Sequence, residues 1–179
     1  MTARDDALAV VERWVAQHAD PASPEHVEGV QAERVHDDAG QPTPAWAITL
    51  PGERKLKTVV SVRVGERSLG LVAFVVRNPD ENHEQVYRML LRRSLDLPGL
   101  AYAVDDAGDV YLTGRAPVEG VTDRWFDETL GAVLQASDGI FNEVLAAGFL
   151  TAMQAEWDWR TKRGESTRNL EAFRHLLAD

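Results

Sequence analysis

The stretch Leu56–Arg77, LKTVVSVRVGERSLGLVAFVVR, constrains the fold more than any other. Val60, Val62 and Val64 fall on one side, and Val59, Ser61 and Arg63 on the other. A period of two is what a strand produces. Gly65-Glu66-Arg67 interrupts the run, and a short glycine-containing loop between two such runs reads as a hairpin. The return run, Leu69–Val76, is almost wholly apolar. That pattern predicts an interior strand with material packed on each face. Its β-branched residues and Gly70 argue against a buried helix.

The remaining elements arrange themselves around this pair. Asp5–Ala19 places Leu8, Val11, Trp14, Val15 and His18 at helical spacing, so a first amphipathic helix is expected, with Trp14 in the core. Asp20–Pro24 stops it. Residues 25–44 are polar. Val27–Val35 reads as a short strand or a helical turn, and Asp37–Gly40 and Pro42–Pro44 carry turn chemistry. Ala45–Leu50 alternates Trp46, Ile48 and Leu50, predicting a strand joined to Leu56–Val64 through Pro51-Gly52.

Asn78-Pro79-Asp80-Glu81 reads as a helix start, with Asn78 as N-cap, Pro79 at the first helical position and Glu81 in a capping box. The helix is expected to bury Val86, Tyr87, Leu90 and Leu91, with Arg88, Arg92 and Arg93 toward its negative end. Leu100–Val104 and Val110–Thr113 flank Asp105–Asp109, a second hairpin whose acidic loop lacks the spacing of a calcium loop. From Gly120 or Thr122 a long helix runs to Gly148, read as a left-handed cap. Gly131 and Gly139 inside it imply either a close neighbouring backbone or a kink. A helix over Thr151–Arg160, a break at Gly164 and a Ser166-capped last helix complete the chain. Strands in hairpin groups with helices between them predict an α+β fold with an antiparallel sheet.

Composition sets limits on function. At 179 residues a single domain is expected, 1–179, with 149–179 as a helical C-terminal extension. There is no cysteine, which excludes a disulfide framework, thiolate zinc sites and a cysteine nucleophile. Nineteen basic residues against 29 acidic ones give a net charge of −10, which disfavours nucleic acid and anionic membrane as partners. The first residues do not read as a signal peptide, and no run approaches a membrane span. A soluble cytoplasmic protein is expected.

Several groups of residues together resemble the actinobacterial branch of the YbjN family. They are Asn78–Asn82 followed by Val86-Tyr87-Arg88 and Leu90–Arg93; Ala103-Val104-Asp105 with Gly108–Leu112; and Gly114-Arg115 with Pro117. Asp138 with Phe141-Asn142, then Glu156-Trp157, Arg160 and Arg163–Ser166, continue the match, which runs from about Trp46 to Phe173. The resemblance implies a fold like that of type III secretion chaperones, α-βββ-α-ββ-α, followed here by the helical tail. It also implies a homodimer, and membership among sensory transduction regulators without an established reaction.

The search for chemistry returns little. His18, His26, His36, His83 and His175 do not pair at a ligand spacing, and there is no phosphate loop, nucleophile elbow or HExxH motif. No catalytic residue, metal ligand or cofactor is assigned. The candidate surface is Trp157, Trp159, Arg160, Arg163 and Glu165, joined by Arg115, since tryptophan and arginine are favoured interface anchors. The same tryptophans would equally serve to fasten the tail to the body. The function expected is a non-enzymatic, chaperone-like adaptor or regulator that binds a protein segment. The alternative is a small-ligand sensor or unrecognised enzyme with an acidic and arginine-lined pocket.

Overall fold

The computed structural model describes residues 2–35 and 45–177. The turn residues 37–40 and 42–44 lie outside them. The element order is α1 (Ala3–His18), β1 (Gln31–Val35), β2 (Ala45–Pro51), β3 (Lys57–Val64), β4 (Ser68–Val76), α2 (His83–Ser94), β5 (Leu100–Val104), β6 (Val110–Pro117), α3 (Asp123–Gly148), α4 (Leu150–Arg163) and α5 (Arg174–Leu177). Short 3₁₀ turns cover Val118–Gly120 and Arg168–Phe173. The expected order is present, and of the two readings of Val27–Val35 the strand is realised, as β1 on the edge beside β2. The sheet is antiparallel throughout, in the order β1-β2-β3-β4-β6-β5.

The period of two in β3 is realised residue by residue. Thr58, Val60, Val62 and Val64 are buried, while Lys57, Val59, Ser61 and Arg63 are exposed. The buried face continues in register. Ile48 lies beside Val60, Val60 beside Ala73, Ala73 beside Leu112 and Leu112 beside Tyr102. Helices α1 and α3 pack over this face and α2 closes it beside β5. Trp14 is buried as expected, its ring edge-on to Phe126 at 5.9 Å and its Nε1 donating to Asp127 at 2.9 Å. Helix α1 starts with a capping box between Thr2 and Asp5, and α3 starts at Thr122, whose hydroxyl accepts from the Trp125 N–H.

Five expectations are corrected. Strand β4 is interior to the sheet but packed on one face only, and Val72 and Phe74 face outward at 42% and 41% exposure. An interior strand can be apolar on both sides without a second layer when its outer side is itself a surface. Helix α2 begins at His83, not Pro79, with left-handed Asn82 (φ 53°) as its cap. Leu91, one of its expected core residues, is 66% exposed, because the apolar pattern of α2 wraps further round than its buried side. Gly148 stays within α3 and is no left-handed cap. A Cβ there would meet Pro79 Cβ at 2.9 Å and Val86 Cγ2 at 3.2 Å, so its role is close packing. Neither alternative holds for Gly131 and Gly139: a Cβ at either would meet no neighbouring backbone within 4 Å, and α3 runs continuously through both.

Candidate functional site

Every second residue of the strands points away from the helices. One row across this open face is Ala47, Ser61, Val72, Thr113 and Ala101. In the next, Thr49 pairs with Val59, and Phe74 with Tyr111, whose ring meets it edge-on at 5.6 Å. A third row sets Arg63 and Arg115 on either side of Gly70. The floor is therefore small or apolar. The charges on its strands, among the described residues, are Lys57, Arg63 and Arg115 against Glu33 at the β1 edge, with the Asp105 carboxylate beside Tyr111 at the hairpin end. A chain of net charge −10 thus keeps a face of the opposite sign.

Asn78–Glu81 is a clasp rather than the start of α2. The Asn78 N–H donates to Asp109 Oδ1 at 2.8 Å and its side chain to the Ala107 carbonyl, which ties the β5–β6 hairpin. Asp105 turns its own loop by accepting from the Ala107 and Asp109 amides. The Asp80 and Glu81 amides and the Asn82 side chain bond the last carbonyls of α3. Glu81 reaches further and caps α4, accepting from the Thr151 N–H and hydroxyl at 2.8 Å each. Those bonds hold the Glu81 carboxyl below the usual carboxylate range. A depressed folded-state pKa contributes stability above the unfolded value that is lost as pH falls through the folded one. Glu81→Ala is therefore expected to speed amide exchange across 150–163 at neutral pH and leave β2–β4 unchanged. The wild type should approach the variant as it is acidified below the ordinary carboxylate range.

The tail folds on itself. Met153, Leu170, Phe173 and Leu177 form a second apolar cluster, with Trp157 packed against it. Gly164 ends α4 in the left-handed conformation, φ 68°. Arg160 donates to Glu156 at 2.8 Å and to the Ser166 carbonyl at 3.0 Å. Arg160 first, then Asn169, hold the Glu156 carboxyl low. Trp157 and Arg160 are thus engaged within the tail. Trp159 is half exposed with the Arg163 guanidinium over its ring at 4.7 Å, and Glu165 is exposed beside the turn. Arg115 does not join them. It lies four positions from the Phe74–Tyr111 pair, about 13 Å along the strand, while the tail rests against the Val76 end.

One site residue had no signal in the sequence. Where β4, α3 and the tail meet, a groove of about 490 Å³ opens, walled by Val76, Phe141, Leu145, Phe149, Met153 and Phe173. Lys55, in the β2–β3 turn, stands at its edge. The Asp138 carboxylate folds that turn inward by accepting from the Arg54 and Lys55 amides at 2.9 and 2.8 Å. The Lys55 Nζ donates to the Phe74 carbonyl and lies 3.4 Å from Ser137 Oγ. Burial pushes the amine down to about 8, against a smaller upward pull from Asp138. In the sequence Lys55 is one of several charges in a turn, and only the partner 83 residues away distinguishes it.

The sign of this shift is testable. An amine that loses its proton more readily folded than unfolded opposes folding while charged, and stability rises as pH climbs from about 8 toward the unfolded value of 10.5. Lys55→Met is expected to unfold at a higher temperature than the wild type at pH 7. The gap should narrow between pH 8 and 10.5 in thermal melts.

The geometry defines an α+β protein that presents surfaces: an open sheet face, and a groove beside it. The chain belongs to the YbjN family, described as "Putative bacterial sensory transduction regulator", which matches residues 7–146. Uncharacterized proteins of Mycobacterium tuberculosis and Mycobacterium bovis are each 49% identical over 141 residues, 79% of this chain and 77% of theirs. One from Mycobacterium leprae is 49% identical over 132 residues, 74% of this chain and 72% of its own. Among solved structures, the chain is similar to one in the heterodimeric ExoU–SpcU complex from the type III secretion system of Pseudomonas aeruginosa. The TM-score there is 0.45 at 15% identity, covering 58% of this chain and 84% of that one. A chain of the ExsC–ExsE complex gives 0.45 at 17% identity, covering 79% and 96%. The tail beyond Gly148 lies outside the family match. Among the described residues there is no cluster of histidine and acidic side chains fit to hold a metal, and no helix long and apolar enough to cross a membrane.

Proposed function

We propose that this protein is a non-enzymatic regulator that binds an acidic, apolar-containing segment of another protein across its open sheet face. The observation that carries this is the exposure of Val59, Val72 and Phe74 in mid-sheet, bordered by Lys57 and Arg115. Contiguous apolar surface with a charged rim marks an interaction site, and the sign of the rim selects an acidic partner. Trp159 and Arg163 on α4, with Glu165 just beyond its end, form a second, smaller contact. Panning a random peptide library on the purified protein tests the idea. Acidic peptides with aromatic or aliphatic residues should be selected and should weaken with salt. They should lose at least about tenfold in affinity with Val72→Asp and with Arg115→Glu, and less with Trp159→Ala. Selection of no consensus, or affinities indifferent to Val72→Asp, would sink the reading.

A specific observation favours a second copy as partner on another surface. Tyr87, Leu91 and Leu95 line one outer stripe of α2, with Leu91 and Leu95 66% and 86% exposed. Glu84, bonded by Arg88 at 2.7 Å, stands at one end of the stripe and Arg92 at the other, so the apolar stripe is flanked by charge in the way a two-fold contact between copies requires. Sedimentation of the wild type beside Leu91→Glu should show a dimer reduced to a monomer. A wild type monomeric at about 100 μM would remove this part.

A further inference from the structure

The groove beside Lys55 goes beyond the peptide-binding reading, because its wall and its charge have a different chemistry from the open face. Its interior surfaces are the aliphatic and aromatic side chains of β4, α3 and the tail. Three charged groups stand at its rim, and two of them are committed. Arg77 holds Asp80 through two bonds, at 2.6 and 2.7 Å, and stacks over Phe149 at 4.5 Å. Glu156 is held by Arg160 and Asn169. Lys55 is different. An ammonium carries three donors, and Lys55 spends them on the Phe74 carbonyl and, at 3.4 Å, on Ser137 Oγ. One donor remains for a ligand. Asp138 lies near and its negative charge pulls the amine upward, although its Oδ1 accepts from two backbone amides, and the ammonium sits 5.4 Å from the centre of the Phe74 ring.

A half-buried cation beside an apolar wall is costly, and Asp138 offsets that cost only in part, since burial still outweighs it at Lys55. We propose that the groove binds an apolar monocarboxylate, the carboxylate on Lys55 and the hydrocarbon along the wall of Val76, Phe141, Leu145, Phe149, Met153 and Phe173. The volume lies within the usual range for small-ligand sites. One cation with a single free donor suits one negative charge, so a phosphate dianion is poorly matched. Body and tail each supply part of the wall, so the ligand bridges them and its binding tightens the tail.

The acid should bind best while Lys55 is protonated. The groups facing Lys55 are Ser137 and Asp138 from α3, the Phe74 carbonyl from β4, Arg77 at the end of β4, Glu156 from α4 and Arg54 from its own turn. Lys55, moved down to about 8, is the member that changes charge in mildly alkaline solution.

Calorimetric titration with decanoate and with decan-1-ol tests the site. At pH 6.5 decanoate should bind at least about tenfold tighter than the alcohol. Lys55→Met should erase that preference while leaving alcohol binding intact, and Lys55→Arg should restore much of it. At pH 9.5 the wild-type preference should fall toward that of Lys55→Met. Decanoate should also slow amide exchange in residues 168–173. No decanoate binding up to about 1 mM, equal affinity for acid and alcohol, or an unaltered preference in Lys55→Met would each overturn the proposal. The alcohol titration separates loss of the cation from collapse of the wall.

Discussion

Phe126→Ala is expected to lower stability by about 4 kcal/mol, the middle of the range for removing a buried aromatic ring. Phe126 is fully buried in the first turn of α3, and its ring meets Trp14 of α1 edge-on at 5.9 Å. The pair joins the two helices that roof the sheet. Deleting the ring removes its transfer energy and leaves a cavity that two helices and a sheet, already fixed by other contacts, cannot close. For a chain of this length the change corresponds to a fall in melting temperature of about 10 °C. Urea unfolding should show a lower midpoint with an unchanged slope, the mark of a stability change alone. Phe126→Leu should recover most of the loss. A cost below about 1 kcal/mol for the alanine variant would mean that α1 is held by its Asp123 and Asp127 bonds and not by the ring contact.

The parts of this fold that were legible in the sequence are those where periodicity and burial agree. Alternation over Lys57–Val64 gave the strand and its inner face together, and of the two starts open for α3, Gly120 and Thr122, the second is realised because its hydroxyl caps locally. The misreadings occurred where a local signal serves a distant partner. Asn78-Pro79-Asp80-Glu81 has the chemistry of a cap, and Glu81 does cap a helix, but that helix is α4, 70 residues on. Gly148 looked like a left-handed terminator, whereas its missing Cβ makes room for Pro79 of the same clasp. Both errors share one cause: residues within a few positions of each other were assumed to satisfy each other. The candidate site divides the same way. Trp159 and Arg163 are exposed neighbours on α4, as helical spacing allows, while Arg115 is separated from them because the β4–β6 register, invisible in the sequence, sets it at the far end of that strand pair from the tail. Lys55 was missed since its desolvation depends on Ser137 and Asp138 and on the tail.

Gly52→Ala is the sharpest test of the device that places Lys55. A Cβ at this position would lie 2.1 Å from the Lys55 carbonyl oxygen and 2.5 Å from Asp138 Oδ1. The first is backbone and cannot rotate away, so the turn itself must move. The expected cost is about 3 kcal/mol, the upper part of the range for overpacking. Asp138→Ala attacks the turn from the other side. It strands the Arg54 and Lys55 amides and is expected to cost about 2 kcal/mol. The two changes damage one structure, so they should not add: once Asp138 no longer holds the turn inward, an added methyl at residue 52 has less to displace. The double variant should therefore lie clearly below 5 kcal/mol, with an interaction energy of about 1 kcal/mol or more in the cycle. Strict additivity would mean that the turn keeps its shape without Asp138, and that Lys55 is set at the groove by the hairpin alone.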